Sequence, residues 1–275
     1  MVMEFIMAGI VLIALSVASY TDLKTREVPD WLSYGLIAGA LSLRSIFTPD
    51  IGWPALVAGI LGLGIMFILA CLLYYTGQWG GGDSKLLMGM GAAIGVQYPF
   101  GAQSFALFWY FLGLLFLGAI YGVFYMLWVA AKKGNFFWSD YRKTIAAYGK
   151  LHLGMWVASL WIALTGFFLP FLWYVSIIPI GLFYLLFFVD CVEETCFVQK
   201  RSVKNLTEGD WLAEDVRKQG KTLLGKKTLE MKDLALLRRV KIGQVIIKEG
   251  IPFVPSFLLA YLFFLWAGEL MVNLL

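Results

Sequence analysis

The sequence predicts an all-α polytopic membrane protein of six to eight transmembrane helices, eight by the count below, with a small cytoplasmic mixed α/β domain. Three observations predict it. Of 275 residues 60% are hydrophobic and only 15% charged, and mean hydropathy is +0.78. Several apolar segments approach the roughly 20 residues that a spanning helix needs. The charge is concentrated elsewhere, above all in a polar stretch from Asp190 to Gly250.

The first apolar segment, Val2 to Tyr20, has Glu4 as its only charge and no basic n-region, so it reads as a retained helix and not a cleaved signal. It stops in the polar loop Thr21 to Asp30. There Pro29 suits the start of a second helix, about Trp31 to Phe47. The third covers about Trp53 to Tyr75, with Gly59, Gly62 and Gly64 as small residues for close helix contact. The fourth, Ser84 to Val96, is the odd one: its 13 residues rise only about 20 Å against a hydrocarbon core of about 30 Å. Gly89, Gly91 and Gly95 give it a narrow face, so it is expected to be a central, buried element. The fifth, about Gln103 to Ala131, is long and aromatic.

Gly134 to His152 reads as a polar connection. Leu153 to Val189 is too long for one span and, with Thr165-Gly166 and Pro170 near its middle, reads as a hairpin of two helices. In the soluble stretch, Glu208-Gly209-Asp210 signals a turn, Leu229 to Val240 a short helix and Lys241 to Ile247 a strand. Phe253 to Leu275 is the last span. The expected divisions are residues 1–131, a membrane core; 132–190, a loop and hairpin; 191–250, the soluble domain; and 251–275, the final helix.

Every Lys and Arg except Arg44 falls in the loops after the first, third, fifth and seventh helices or in the soluble stretch. The positive-inside rule makes that side cytoplasmic in a multi-pass protein of the cell membrane. Cys71, Cys191 and Cys196 are too few and too unevenly spaced for a disulfide framework or a four-cysteine zinc site, and His152 is the only histidine. No metal, cofactor or nucleic-acid partner is expected. Membrane lipid is.

The chemistry is expected around Gln78-Trp79-Gly80-Gly81-Gly82-Asp83-Ser84-Lys85. An ionisable group beside a span is costly, and therefore a functional candidate. Three glycines permit close backbone approach and dihedrals that side chains forbid. Asp83 equally suits an N-cap for the helix that follows. A second acid, Asp22, lies just past the first helix, where the partial negative charge of a helix C-terminus disfavours it. Lys24 and Arg26 are its candidate ion-pair partners. The chain crosses twice between Asp22 and Asp83, so both face the same side at about the same depth. Two such carboxylates brought close share one proton, which suits aspartyl proteolysis. Glu27 and Asp30 are alternative partners for Asp83, and Asp30 beside Pro29 also reads as a helix cap. By charge sign, both are candidate contacts for a basic substrate segment.

Gly80-Gly81-Gly82-Asp83 resembles the G-x-G-D motif of membrane aspartyl proteases, and with Ser84-Lys85-Leu86 it resembles the version in type IV prepilin peptidases. Tyr20 to Asp30 is similar to that family's other aspartate segment, and Lys248 to Pro255 to the C-terminal region of its archaeal preflagellin and prepilin members. The resemblance covers roughly Met1 to Ala131. It implies an aspartic endopeptidase that removes a short basic leader from precursors just before their hydrophobic helix, with Asp22 and Asp83 as the catalytic acids. The paired-cysteine loop of the bacterial members is absent, so N-methylation is not implied. Hydropathy here suggests eight spans where archaeal members are usually given six. Two other classes stay open: an ion- or proton-coupled transporter using the acids, and a scaffold working through its basic soluble domain.

Overall fold

The computed structural model describes residues 2–218 and 221–272. In chain order the helices are α1 (Val2–Thr25), α2 (Asp30–Ile46), α3 (Thr48–Ile51), α4 (Pro54–Tyr75), α5 (Gly81–Ile94), α6 (Ala106–Lys133), α7 (Asn135–Ala147), α8 (Gly149–Thr165), α9 (Leu172–Val175), α10 (Ile178–Cys196), α11 (Met231–Arg239) and α12 (Val254–Val272). Strands β1 (Val198–Ser202), β2 (Trp211–Leu212), β3 (Val216–Lys218), β4 (Lys221–Leu224) and β5 (Gln244–Lys248) lie between α10 and α12. The chain divides into two units, Met1–Val123 with Ile251–Leu275, and Phe124–Gly250.

Among the described residues, four helical stretches are long and apolar enough to cross a membrane: Val2–Thr25, Pro54–Tyr75, Gln103–Lys133 and Leu172–Cys196. The apolar stretch Val254–Ala267 is shorter. Helices α2 and α8 have 17 residues each and α5 has 14, so they are shorter than these four stretches.

The first unit is built around α5. Leu86, Leu87, Met90 and Ala92 of this short helix are fully buried, as expected of a helix shielded from lipid on all sides. Small residues let its neighbours in. A Cβ on Gly62 of α4 would lie 2.2 Å from the Gly91 carbonyl oxygen, and one on Gly91 would lie 2.5 Å from that of Gly62, so the two backbones touch there. A Cβ on Gly89 would lie 2.8 Å from the Leu36 side chain of α2. Gly64 faces open space and takes no part. Helix α12 packs along α1 and shares its core, in which Val11, Leu15, Val254 and Phe257 are fully buried.

The far end of α5 has a specific stop. A helix leaves its last four carbonyls without intrahelical partners. Gly91 O takes the Gly95 N–H at 2.9 Å, with Gly95 at φ +74°, a backbone conformation that suits glycine. The other three go to one side chain. Arg44 of α2, 6% exposed, donates Nε to Ala92 O at 3.1 Å and Nη2 to Ala93 O and Ile94 O at 2.7 and 3.0 Å. Its Nη1 donates to Ala55 O at 2.9 Å. A cation at a helix C-terminus also complements the dipole.

In the second unit, the stretch expected as a polar connection over Gly134 to His152 is instead helical, forming α7 and the start of α8. Its polar residues contain no proline and no glycine between Asn135 and Tyr148, so nothing breaks a helix whose Phe137 is buried. Helices α8 and α10 pack on each other, joined through residues 166–177, which include α9. Beyond α10 the small sheet region runs β1-β5-β2, antiparallel throughout, with β3–β4 as a separate hairpin. Val245 and Ile247 alternate inward on β5 and meet Leu234 and Leu237 from α11. Full burial of a side chain such as Leu237 stabilises by about 1.5–3 kcal/mol in water. Gly209, at φ +100°, makes the turn before β2. Lys248 on β5 pairs with Glu193 on α10.

Candidate active site at two aspartates

Helix α1 runs to Thr25, so Asp22 lies inside its last turn and not beyond its end. The Thr21 and Thr25 hydroxyls bond back to Ala18 O at 2.9 Å and Thr21 O at 2.8 Å, which carries the helix past the apolar stretch. Asp22 is 7% exposed. Its Oδ2 accepts the Val254 N–H, the first amide of α12, at 2.9 Å. That donor is what offsets an acid at a helix C-terminus. Arg26, the next turn on, adds an attractive charge.

Helix α5 begins at Gly81 with Gly80 as N-cap, so Asp83 lies in its first turn. The N-cap reading is thus corrected: Asp83 stands three residues inside the cap and its carboxyl bonds back to the Gly80 backbone. A carboxylate is favoured at that end of a helix. The glycine run works through one close approach. A Cβ on Gly82 would lie 3.1 Å from the Val28 Cβ, in the loop after α1. None of Gly80, Gly81 and Gly82 has a positive φ; that conformation occurs at Gly77, three residues earlier.

The two acids interact electrostatically. Asp83 lies within the electrostatic field of the Asp22 carboxyl, although they belong to different helices. Asp30 goes elsewhere: it accepts Lys85 Nζ at 2.6 Å, with the ammonium 5.6 Å from the Tyr34 ring centroid. Asp30 is the first residue of α2, whose cap position is Pro29 and whose start carries no side-chain cap bond. Glu27 is exposed in the loop after α1. A cavity of about 350 Å³, lined in part by Glu4, Arg44 and Gln97, lies at the opposite ends of α2 and α5.

Three features carry no signal in the sequence. The Val254 donor is a backbone group. Trp79, four residues before Asp83, packs its ring on Phe253 and Phe257 at centroid distances of 5.3 and 5.6 Å. The Ser19 and Ser84 hydroxyls, each within a turn of an aspartate, are buried without a hydrogen-bond partner among the described residues. The described residues hold no group of three or more His, Cys, Asp or Glu placed to bind a metal.

The region that holds both aspartates is similar to the type IV leader peptidase family, whose model matches residues 9–127. More particular relatives are preflagellin peptidases of archaea. That of Methanococcus voltae is 39% identical over 85 residues, 30% of this chain and 36% of the relative. That of Methanocaldococcus jannaschii is 38% identical over 87 residues, 30% of this chain and 35% of the relative. That of Methanococcus maripaludis is 32% identical over 84 residues, again 30% of this chain and 36% of the relative. The chain thus spans about a third of the length of these relatives.

Proposed function

We propose that the protein is a membrane aspartic endopeptidase of the G-x-G-D type. It removes the short basic leader from preflagellin or type IV prepilin-like precursors at the cytoplasmic face of the cell membrane. One observation carries the reading: the Asp22 carboxyl acts electrostatically on Asp83 from a separate helix, inside the region that matches the leader peptidase family.

Two neighbouring carboxyls resist double ionisation and hold one proton between them. The ionised carboxylate takes a proton from water, whose oxygen attacks the scissile carbonyl carbon. The protonated carboxyl donates to the carbonyl oxygen. Collapse of the tetrahedral intermediate breaks the C–N bond, and the amine leaves with a proton from the pair. Activity accordingly peaks at intermediate pH, because acid removes the base and alkali removes the donor.

A transporter that uses the acids as an ion site is less well supported. Arg44, in the last turn of α2 and at the far end of that helix from Asp30, directs its donors to backbone carbonyls and so serves the fold and not an ion path. The test is cleavage of a leader-bearing precursor in proteoliposomes. Asp22→Asn and Asp83→Asn each abolish it while inserting normally; cleavage by either at the wild-type rate overturns the proposal.

A further inference from the structure

The N-terminus of α12 joins the two aspartate-bearing segments. Its first amide, Val254 N–H, donates to Asp22 Oδ2 at 2.9 Å. One residue earlier, Phe253 packs on Trp79 of the loop leading into Asp83, and Phe257 one turn later packs on the same ring. Phe111 of α6 completes the aromatic cluster, 6.5 Å from Trp79. The seat for Phe253 is cut into α6: a Cβ on Gly118 would lie 2.7 Å from the Phe253 ring. Val254 and Phe257 are fully buried, so this end of α12 is part of the core.

We infer that residues 253–257 are a positioning element of the active site, holding Asp22 by a backbone amide and the Asp83 loop by an aromatic clasp. The inference rests on the aspartic endopeptidase reading. The amide occupies Oδ2 of Asp22 and so fixes the rotation of that carboxyl. The clasp sets the path of residues 79–82 and with it the start of α5. Asp22 is the last acid before α1 ends and α12 lies some 230 residues further on, so the bond spans most of the chain. The pair is therefore completed only when the last helix docks.

The experiment removes the donor and little else. Proline fits the first position of a helix, where its missing N–H is not needed for the helix itself. Val254→Pro thus deletes the bond to Asp22 while keeping α12. A hydrogen bond to a charged group is worth about 10- to 100-fold in an equilibrium or rate. Val254→Pro is expected to lower kcat for leader cleavage by that amount with KM unchanged, and Val254→Ala, which keeps the amide, to restore kcat to within about threefold of wild type. Unchanged kcat in Val254→Pro overturns the inference, and it leaves the peptidase reading intact if Asp22→Asn and Asp83→Asn are still inactive. Should Val254→Pro fail to insert, Asp22→Cys with Val254→Cys decides the matter. The contact brings the Asp22 side chain directly against the Val254 backbone. Oxidation in membranes is expected to join the fragments obtained by cutting an engineered site in the 134–150 region, and separate fragments overturn the inference.

Discussion

Arg44→Ala is the perturbation whose effect follows most directly from the structure. Four backbone carbonyls, those of Ala55, Ala92, Ala93 and Ile94, accept from this guanidinium. Three of them are the terminal carbonyls of α5 and have no helical alternative. Each buried carbonyl left unsatisfied costs about 1–3 kcal/mol. The three are neighbours and are not additive, so a loss of about 3–5 kcal/mol is expected, in the range for breaking a buried charged contact. Arg44→Lys should lose less, because one ammonium still reaches part of the set. Gly59→Ala should act in the same direction, since its Cβ would lie 2.6 Å from Arg44 Cδ. The assay is reversible unfolding in mixed micelles followed by tryptophan fluorescence. The decisive variant is Arg44→Leu, which fills the space without donors. If it unfolds at the wild-type midpoint, the carbonyls are satisfied by something else and the reasoning is wrong.

Gly62→Ala or Gly91→Ala should destabilise by about 1–3 kcal/mol in the same assay, because each methyl meets backbone. Gly64→Ala faces open space and should show no loss. Lys85 already engages Asp30, so attraction of a basic leader falls mainly to Glu27. Glu27→Gln should raise KM for a leader peptide more than Asp30→Asn does, and high salt should erase the difference. In the second unit Lys227 bonds Asp233 at 2.8 Å and holds its carboxyl below the usual range, helped by the Glu230 N–H at 3.0 Å. The sign follows from linkage. This stability is present above the unfolded carboxyl value of about 3.9 and is lost as pH falls through the lower folded value. Proteolytic protection of residues 231–239 should therefore weaken in strong acid, and in Asp233→Asn it should be weaker at neutral pH and flatter in acid.

Much of the helical order was legible because lipid-length apolar runs and small-residue faces are composition signals. Ser84 to Val96 was readable as a buried element from its length and its glycines, and within Lys241 to Ile247 the β-branched residues marked a strand that begins only at Gln244, after a turn with Lys241 at φ +54°. Helix ends were not legible. Hydropathy falls at Tyr20, whereas the helix continues to Thr25 because threonine hydroxyls and backbone bonds ignore polarity. For the same reason a polar run without proline, residues 135–147, is a helix and not a loop. At the site, both acids stood out through their cost beside a membrane. What holds them did not: the Val254 amide carries no side-chain signal, and Trp79 becomes informative only once Phe253 and Phe257 are beside it. Arg44 was noticeable as an isolated cation, but its role depends on where α5 stops.

The central claim is that Asp22 and Asp83 work as one catalytic unit. Its most direct test is the rate of leader cleavage by Asp22→Asn, Asp83→Asn and the double variant, measured on the same precursor in proteoliposomes. The account predicts that each single change brings the rate to a common residual level and that the double variant falls no further. A double variant whose loss is the product of the two single losses would mean independent roles, and would contradict it.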